Sequence, residues 1–257
     1  MYLDEAYPTY NECETRIVDD FDKDFLTFAR GYTVNKWEFA SMISNDILQK
    51  CGYFATMPEN ITFVSGVNAE SVNVLHTDAQ VALPMSGYGL TPAACLHIYP
   101  MLQKEKKHNE LITTRQKVYR YEHGDFEMGV RFWEFWVREF VAVGTEEYVQ
   151  NFLEDFRNKA LNYAKERYEE VHLRGATDMF FPSRENRIIQ RMQKKNNLKQ
   201  ELVVSINHRD VACASFNYHK AHFSKLFNFD EDGSIVTGCV GFGLNRWLAR
   251  YNFEQKL

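Results

Sequence analysis

The sequence predicts an α+β domain in which an antiparallel β-sheet is flanked by helices. Three observations lead there. One long amphipathic helix lies among segments that alternate like strands, two of those segments form a hairpin, and β–α–β alternation is scarce. No repeat, low-complexity tract or Pro/Gly-rich linker breaks residues 1–257, so the chain reads as a single domain.

Taken in order, "NKWEFASMISNDILQKCGYF" (35–54) carries apolar residues near helical spacing and predicts a helix. "PENITFVSG" predicts a strand. "LTPAACLHIYPML" (90–102) is short and apolar, and fits either a strand or a buried helical turn. Residues 117–123 and 131–143 predict two strands joined by the turn "GDFEMG". Thr145 opens the surest helix, 145–171, whose stripe is Val149, Phe152, Leu153, Phe156, Ala160, Tyr163 and Ala164. "ELVVSI" and "VACASFNYH" then predict strands, and "DGSIVTGCVGFGLNRWLARY" a strand turning through glycines into a helix.

Composition sets the outer bounds. A net charge of -5 argues against a dedicated nucleic-acid surface, while leaving room for a local basic patch. No run approaches the roughly eighteen apolar residues of a membrane span. The opening "MYLDEAYPTY" lacks the basic and apolar regions of a signal peptide, so a cytoplasmic location is expected. There the five cysteines are expected to serve as metal ligands or core fillers rather than in disulfides.

The densest chemistry is "RYEHGDFEMGVRFWEFWVREF" (120–140), with two Trp, four Phe, three Arg and four Glu. On a strand of period two, Arg131, Trp133, Phe135, Val137 and Glu139 share one face, and Phe132, Glu134, Trp136 and Arg138 the other. Arg120 and Glu122 share a face on the preceding strand. Such a surface suits ATP: guanidinium groups grip phosphates, a ring stacks on adenine, and a carboxylate accepts from its amino group. An amphipathic hairpin, with surface ion pairs on one side and core aromatics on the other, accounts for the composition equally simply.

The arrangement "RYE", a turn, then "RFWEF" resembles the second signature motif of class II aminoacyl-tRNA synthetases. "GFGLNR" (241–246) resembles their third, and the order and the intervening helix agree. The resemblance implies that Arg120 holds the α-phosphate, Glu122 the adenine amino group and Arg131 the γ-phosphate. Phe135 and Arg246 would sandwich the adenine. Asn245 stands where relatives often carry an acid, a departure that weakens the orientation of Arg246 without removing it.

Cys95, Glu139 and Cys239 form a weak metal signature by spacing alone, and each buried thiol is equally a small hydrophobe. The resemblance narrows this to the branch of methanogen-type seryl-tRNA synthetases and their truncated homologues, the amino acid:carrier protein ligases. That branch implies a zinc site made by a Cys, the Glu of "RE" after motif two, and the Cys before the motif-three glycines. His97 remains a rival ligand if residues 95–97 are extended, and Glu134 is the second alternative, although it points away from Phe135 and Glu139. "ASFNYHKAHFSKLFNF" (214–229) resembles the ligases' Ser-x-Asn-x-His segment, so Ser215, Asn217 and His219 are expected to face the nucleotide and its Mg²⁺. Asp210 stands where relatives commonly place a magnesium-binding glutamate.

By the same resemblance the chain joins a small amino acid, glycine or alanine, to AMP and passes it to the phosphopantetheine thiol of an acidic carrier protein. No tRNA-binding extension is recognisable, so tRNA is not the expected acceptor, and a homodimer is expected by analogy. Arg184, Arg187, Arg191, Lys194, Lys195 and Lys199, against Glu185 alone, offer a dock for an acidic partner or a solvated face.

Overall fold

A computed structural model describes residues 9–67, 85–102, 109–121, 130–206, 208–230 and 233–254. Among these, seven strands form one large sheet. They are β1 (Val34–Lys36), β5 (Glu110–Tyr119), β6 (Glu134–Gly144), β7 (Val171–Gly175), β8 (Lys199–Ile206), β9 (Arg209–Lys220) and β10 (Val236–Gly243). Their order across the sheet is β1-β5-β6-β10-β9-β8-β7. Every neighbouring pair is antiparallel except β1 with β5. A smaller sheet, β2 (Met42–Ser44), β4 (Met85–Leu90) and β3 (Thr62–Ser65), lies outside it.

Period-two alternation divides the large sheet into two faces. One face packs Phe140 and Ala142 of β6, Val240 and Phe242 of β10, and Cys213, Ala214 and Phe216 of β9 beneath the long helix Glu146–Lys165. Thr145 caps that helix, accepting from the Tyr148 N–H. Its buried stripe is Val149, Phe152, Leu153, Phe156, Ala160 and Ala164, with Tyr163 half-buried beside it. The opposite face carries Ile112, Val141, Val143 and Cys239, packed against the turn Ala94–His97 and the helices Ile98–Leu102 and His222–Leu226. Cys95 and Cys239, two of the residues expected at the site, lie in this second layer.

Gly238 shows how tightly the helix seats. A Cβ there would lie 2.8 Å from Val149 Cγ1, 3.1 Å from Leu153 Cδ1 and 3.2 Å from the Asn217 carbonyl. A β-branched side chain and a backbone oxygen cannot easily give way. Gly238→Ala is expected to destabilise by about 1–3 kcal/mol through overpacking, read as a lower urea midpoint at unchanged slope.

Several elements depart from the sequence expectations. Residues 35–54 do not form one helix. Val34–Lys36 pairs with Leu111–Thr113, Met42–Ser44 pairs with β4, and helix begins only at Asn45, where Ser44 caps it. Gly52, at φ +78°, ends that helix before the short turn Tyr53–Thr56. The helix expected over 145–171 stops at Lys165, because Val171–Gly175 is taken up as an edge strand on β8. Within 90–102, Leu90 ends β4, Ala94–His97 form a 3₁₀ turn and Ile98–Leu102 a short helix. The hairpin pairing holds from Glu110↔Val143 to Tyr119↔Glu134, while its turn lies outside the described residues.

The helix Glu12–Thr27 is not among the expected elements, although Asn11 and Glu14 form a reciprocal capping box at its start. It is fastened to the sheet by Asp22, whose carboxylate accepts from Arg138 Nε and Nη2 at 2.7 Å each.

Candidate adenylation and metal site

Pairing register builds the site across the middle of the sheet. Gly241 of β10 stands opposite Glu139 of β6 and Ser215 of β9, and in the next row on this face Cys239 stands opposite Val141 and Asn217. A Cβ on Gly241 would lie 3.5 Å from Ser215 Oγ and 3.6 Å from Glu139 Cγ, so the glycine leaves an open cradle between them. Gly243 does the same beneath Arg246, whose Cδ lies 3.8 Å from the place of a Cβ. The glycines of "GFG" therefore form the floor of a cleft.

Arg131, Phe135 and Arg246 come together around one small pocket, with Val130, Phe132, Gly243 and Asn245. Arg246 is held by two carbonyls, donating from Nε to Val130 at 3.0 Å and from Nη1 to Ala212 at 2.7 Å. Asn245 does not orient it. That buried amide accepts from the Trp136 N–H at 2.8 Å and donates to the Tyr10 hydroxyl, closing the end of β6. Arg120 lies 5.3 Å over the Phe135 ring and donates from Nε to the Pro92 carbonyl at 3.0 Å. Glu122 lies outside the described residues.

Arg131–Trp133 precede the regular strand, which starts at Glu134. The face assignment nevertheless holds within β6. Phe135, Val137 and Glu139 point to the cleft, and Arg138 points to Asp22 on the other side. Glu134 pairs with Lys117, far from any ligand role.

Cys95, Glu139 and Cys239 are all buried, and their ligand atoms lie within 4.8 Å of one another. The 3₁₀ turn Ala94–His97 delivers Cys95 and also points two backbone donors at the carboxylate. Ala94 N–H reaches Glu139 Oε1 at 3.3 Å and Cys95 N–H reaches Oε2 at 2.8 Å. Burial, then the charge of Cys239, pushes the Glu139 carboxyl up to about 7. Hydrogen bonding to Cys239, then burial, pushes the Cys95 thiol well up, while Cys239 is held well down, first by the hydrogen bond with Cys95. Three adjacent buried acids cannot all ionise without a cation among them. Two thiols and one carboxylate, beside the space that a Cβ on Gly241 would fill, suit a zinc ion.

His97 is not part of this group. A 3₁₀ turn does not return residues i and i+2 to one face, and its ring stacks on Phe39 at 5.2 Å instead. Burial lowers it to about 4.

On β9 a one-residue bulge, at the register shift between Leu202 and Val203 of β8, puts Cys213 and Ala214 together in the helix-side core. Asp210 and Ser215 thereby fall on the same face. Asp210 is exposed and lies 3.6 Å from Arg174 and 3.7 Å from His172, so any cation there would share it with two basic side chains. Asn217 donates to Ser215 Oγ at 3.4 Å and lies at the same distance from Cys239 Sγ. His219 Nε2 is 3.6 Å from that sulfur. Strand alternation places these side chains on one face, but it does not disclose that the face leads from the nucleotide side to the thiol. Only the β9–β10 register reveals it.

Against known proteins, the chain is 29% identical over 226 residues to amino acid–[acyl-carrier-protein] ligase 1 of Bradyrhizobium diazoefficiens, covering 81% of this chain and 68% of that protein. It is 26% identical over 248 residues to the type-2 serine–tRNA ligase of Methanococcus aeolicus, covering 84% of this chain and 47% of that protein. No protein-family model matches. The structure superposes on M. kandleri SerRS, solved in complex with A. aeolicus tRNASec, with a TM-score of 0.79 and 20% identity over 96% of this chain and 54% of that one.

The chain has the class II aminoacyl-tRNA synthetase fold. It is a relative of the amino acid–[acyl-carrier-protein] ligases and of the type-2 serine–tRNA ligases. It spans about two thirds of the former's length and about half of the latter's. Arg131 and Arg246 line one small pocket together with Phe135, and Arg120 lies over the Phe135 ring. No helix among the described residues is long and apolar enough to cross a membrane.

Proposed function

We propose that this chain activates a small amino acid with ATP and transfers it to the phosphopantetheine thiol of a carrier protein. The observation that carries the reading is the buried Cys95–Glu139–Cys239 group on the same sheet face as the pocket of Arg131, Phe135 and Arg246. A metal position beside a nucleotide pocket suits an enzyme that must hold a free amino group while a phosphate is displaced.

Arg120 and Arg131 hold the triphosphate oxygens, Arg246 and Phe135 enclose the adenine, and Glu122 accepts from its amino group. Ser215, Asn217 and Asp210 line the strand toward the phosphates and Mg²⁺. The substrate carboxylate attacks the α-phosphorus in line, the bond to the bridging oxygen breaks, and pyrophosphate leaves. No protein nucleophile is needed, because positioning and charge neutralisation lower the barrier. The zinc held by Cys95, Glu139 and Cys239 supplies, when bound, a Lewis-acid position for the α-amino group. The carrier thiol then attacks the acyl carbonyl and AMP leaves.

The helix Arg184–Lys195 suits the partner. It exposes Ile188, Ile189 and Met192 beside its arginines and lysines, and Met179 and Phe181 are exposed just before it. Asn186 anchors it through the carbonyls of Ala55 and Phe181. An apolar stripe edged with cations fits an acidic amphipathic helix of a carrier protein. The five unpaired cysteines fit the cytoplasm, and a homodimer is the expected assembly.

Incubation with ATP and labelled glycine or alanine tests the acceptor. Label is expected on holo-carrier protein as a hydroxylamine-labile thioester, and not on tRNA. Charging of tRNA with no thioester would move the chain to a small synthetase with a different acceptor.

A further inference from the structure

Both thiols of the Cys95–Glu139–Cys239 group are buried, but their surroundings differ. Cys239 has two nitrogens aimed at its sulfur, the Asn217 Nδ2 donor at 3.4 Å and His219 Nε2 at 3.6 Å. Both come from β9, two residues apart on one face, and cross-strand pairing of Cys239 with Asn217 holds them there. These are ordinary separations for N–H···S hydrogen bonds, whose acceptor is best when the sulfur is a thiolate.

The histidine is itself fixed. Its Nδ1 lies 3.1 Å from Thr237 Oγ1 and 3.4 Å from the Tyr99 hydroxyl. Thr237 and Tyr99 are fully buried. Phe223 meets the imidazole edge-on, with ring centroids 4.9 Å apart and planes at 86°, and stacks on Tyr99 at 3.7 Å. Assigning the Thr237 hydroxyl as the donor to Nδ1 puts the ring proton on Nε2, facing the sulfur. The half-buried histidine, held by the two hydroxyls, and the asparagine amide thus converge on one thiol.

We infer that Asn217 and His219 are positioning residues for the metal centre, their N–H groups fixing Cys239 as an oriented, charge-softened thiolate. This rests on the zinc reading above and deepens it. Two N–H bonds draw charge from one sulfur, so the centre takes an incoming amino group more readily than two bare thiolates would allow. It also gives Asn217 and His219 a role on the metal side of the strand face otherwise expected to serve the nucleotide.

Chelator competition and cobalt substitution of the whole chain test this. His219→Ala is expected to lower zinc affinity about 10–100-fold, the usual cost of losing an outer partner. The sulfur-to-cobalt charge-transfer band is expected to move to lower energy, because a thiolate without its donor holds its electrons less tightly. His219→Gln, which restores an N–H, should recover part of both. Thr237→Val removes only a hydroxyl that sets the tautomer, and should shift the same band in the same direction by less, which keeps the test open if His219→Ala fails to fold. Unchanged affinity and an unchanged band in the His219→Ala and Thr237→Val proteins would overturn the inference while leaving the zinc reading intact. A wild-type chain that takes up no zinc would overturn both.

Discussion

Replacing Glu139 with Gln is expected to empty the metal centre and stop amino-acid activation in a protein that still folds. The amide keeps the volume of the carboxylate and an oxygen for one of the two N–H groups, Ala94 at 3.3 Å and Cys95 at 2.8 Å, that donate to it. What it removes is the negative charge, and with it a direct metal ligand. The loss in zinc affinity should exceed the roughly 10–100-fold that outer partners cost. Cys95→Ala and Cys239→Ala should behave alike. Metal analysis, with unfolding curves taken before and after chelation, checks this. Chelation should lower the unfolding midpoint of the wild type, because binding to the folded state alone is stabilising. It should leave the midpoints of the three variants where they were. A Glu139→Gln protein that keeps stoichiometric zinc would remove Glu139 from the ligand set.

Asp22→Ala carries the largest expected cost in stability, about 3–5 kcal/mol. Arg138 is 7% exposed and Asp22 6% exposed, and both guanidinium bonds to the carboxylate are 2.7 Å long. Without Asp22 the buried cation keeps, among the described residues, only the Thr113 hydroxyl at 3.3 Å, and Arg115 loses the second carboxylate it lies near, at 3.7 Å. The penalty is that of an uncompensated buried charge. Replacing the pair together, Asp22→Leu with Arg138→Met, should therefore recover most of the loss. Urea unfolding of the two single variants and the double variant measures it. A double variant no better than Asp22→Ala would mean that the pair acts mainly by fastening the N-terminal helix. Arg138 and Glu139 are neighbours on opposite faces of β6, so the same strand ties down the helix layer and presents Glu139 to Cys95 and Cys239.

What the sequence discloses follows from the physics of each signal. Strand alternation is local, so the division of Phe135, Val137 and Glu139 from Trp136 and Arg138 is legible in the residue order alone. The glycines of "GFG" and the helix after them are legible for the same reason. Register between strands far apart in sequence is not. Nothing in "GCVGFG" or "SFNYH" says that Cys239 will stand opposite Asn217, and so the convergence of Asn217 and His219 on the thiol emerges only from pairing. His97 depends on whether residues 95–97 are extended, a question that two prolines and a short apolar run leave open, and the 3₁₀ turn decides it. The helix expected over 35–54 fails because edge pairing with β5 and β4 outweighs a weak helical pattern. The capping box at Asn11 and Glu14 is plain in the sequence and marks a helix that apolar periodicity does not announce.

Amino-acid-dependent exchange of pyrophosphate into ATP, run across all twenty amino acids on zinc-loaded and zinc-stripped protein, addresses the central claim most directly. The account predicts exchange with one or two small amino acids, lost on stripping and regained with zinc. Folded, zinc-loaded protein that supports exchange with none of them, or exchange indifferent to zinc, would contradict it.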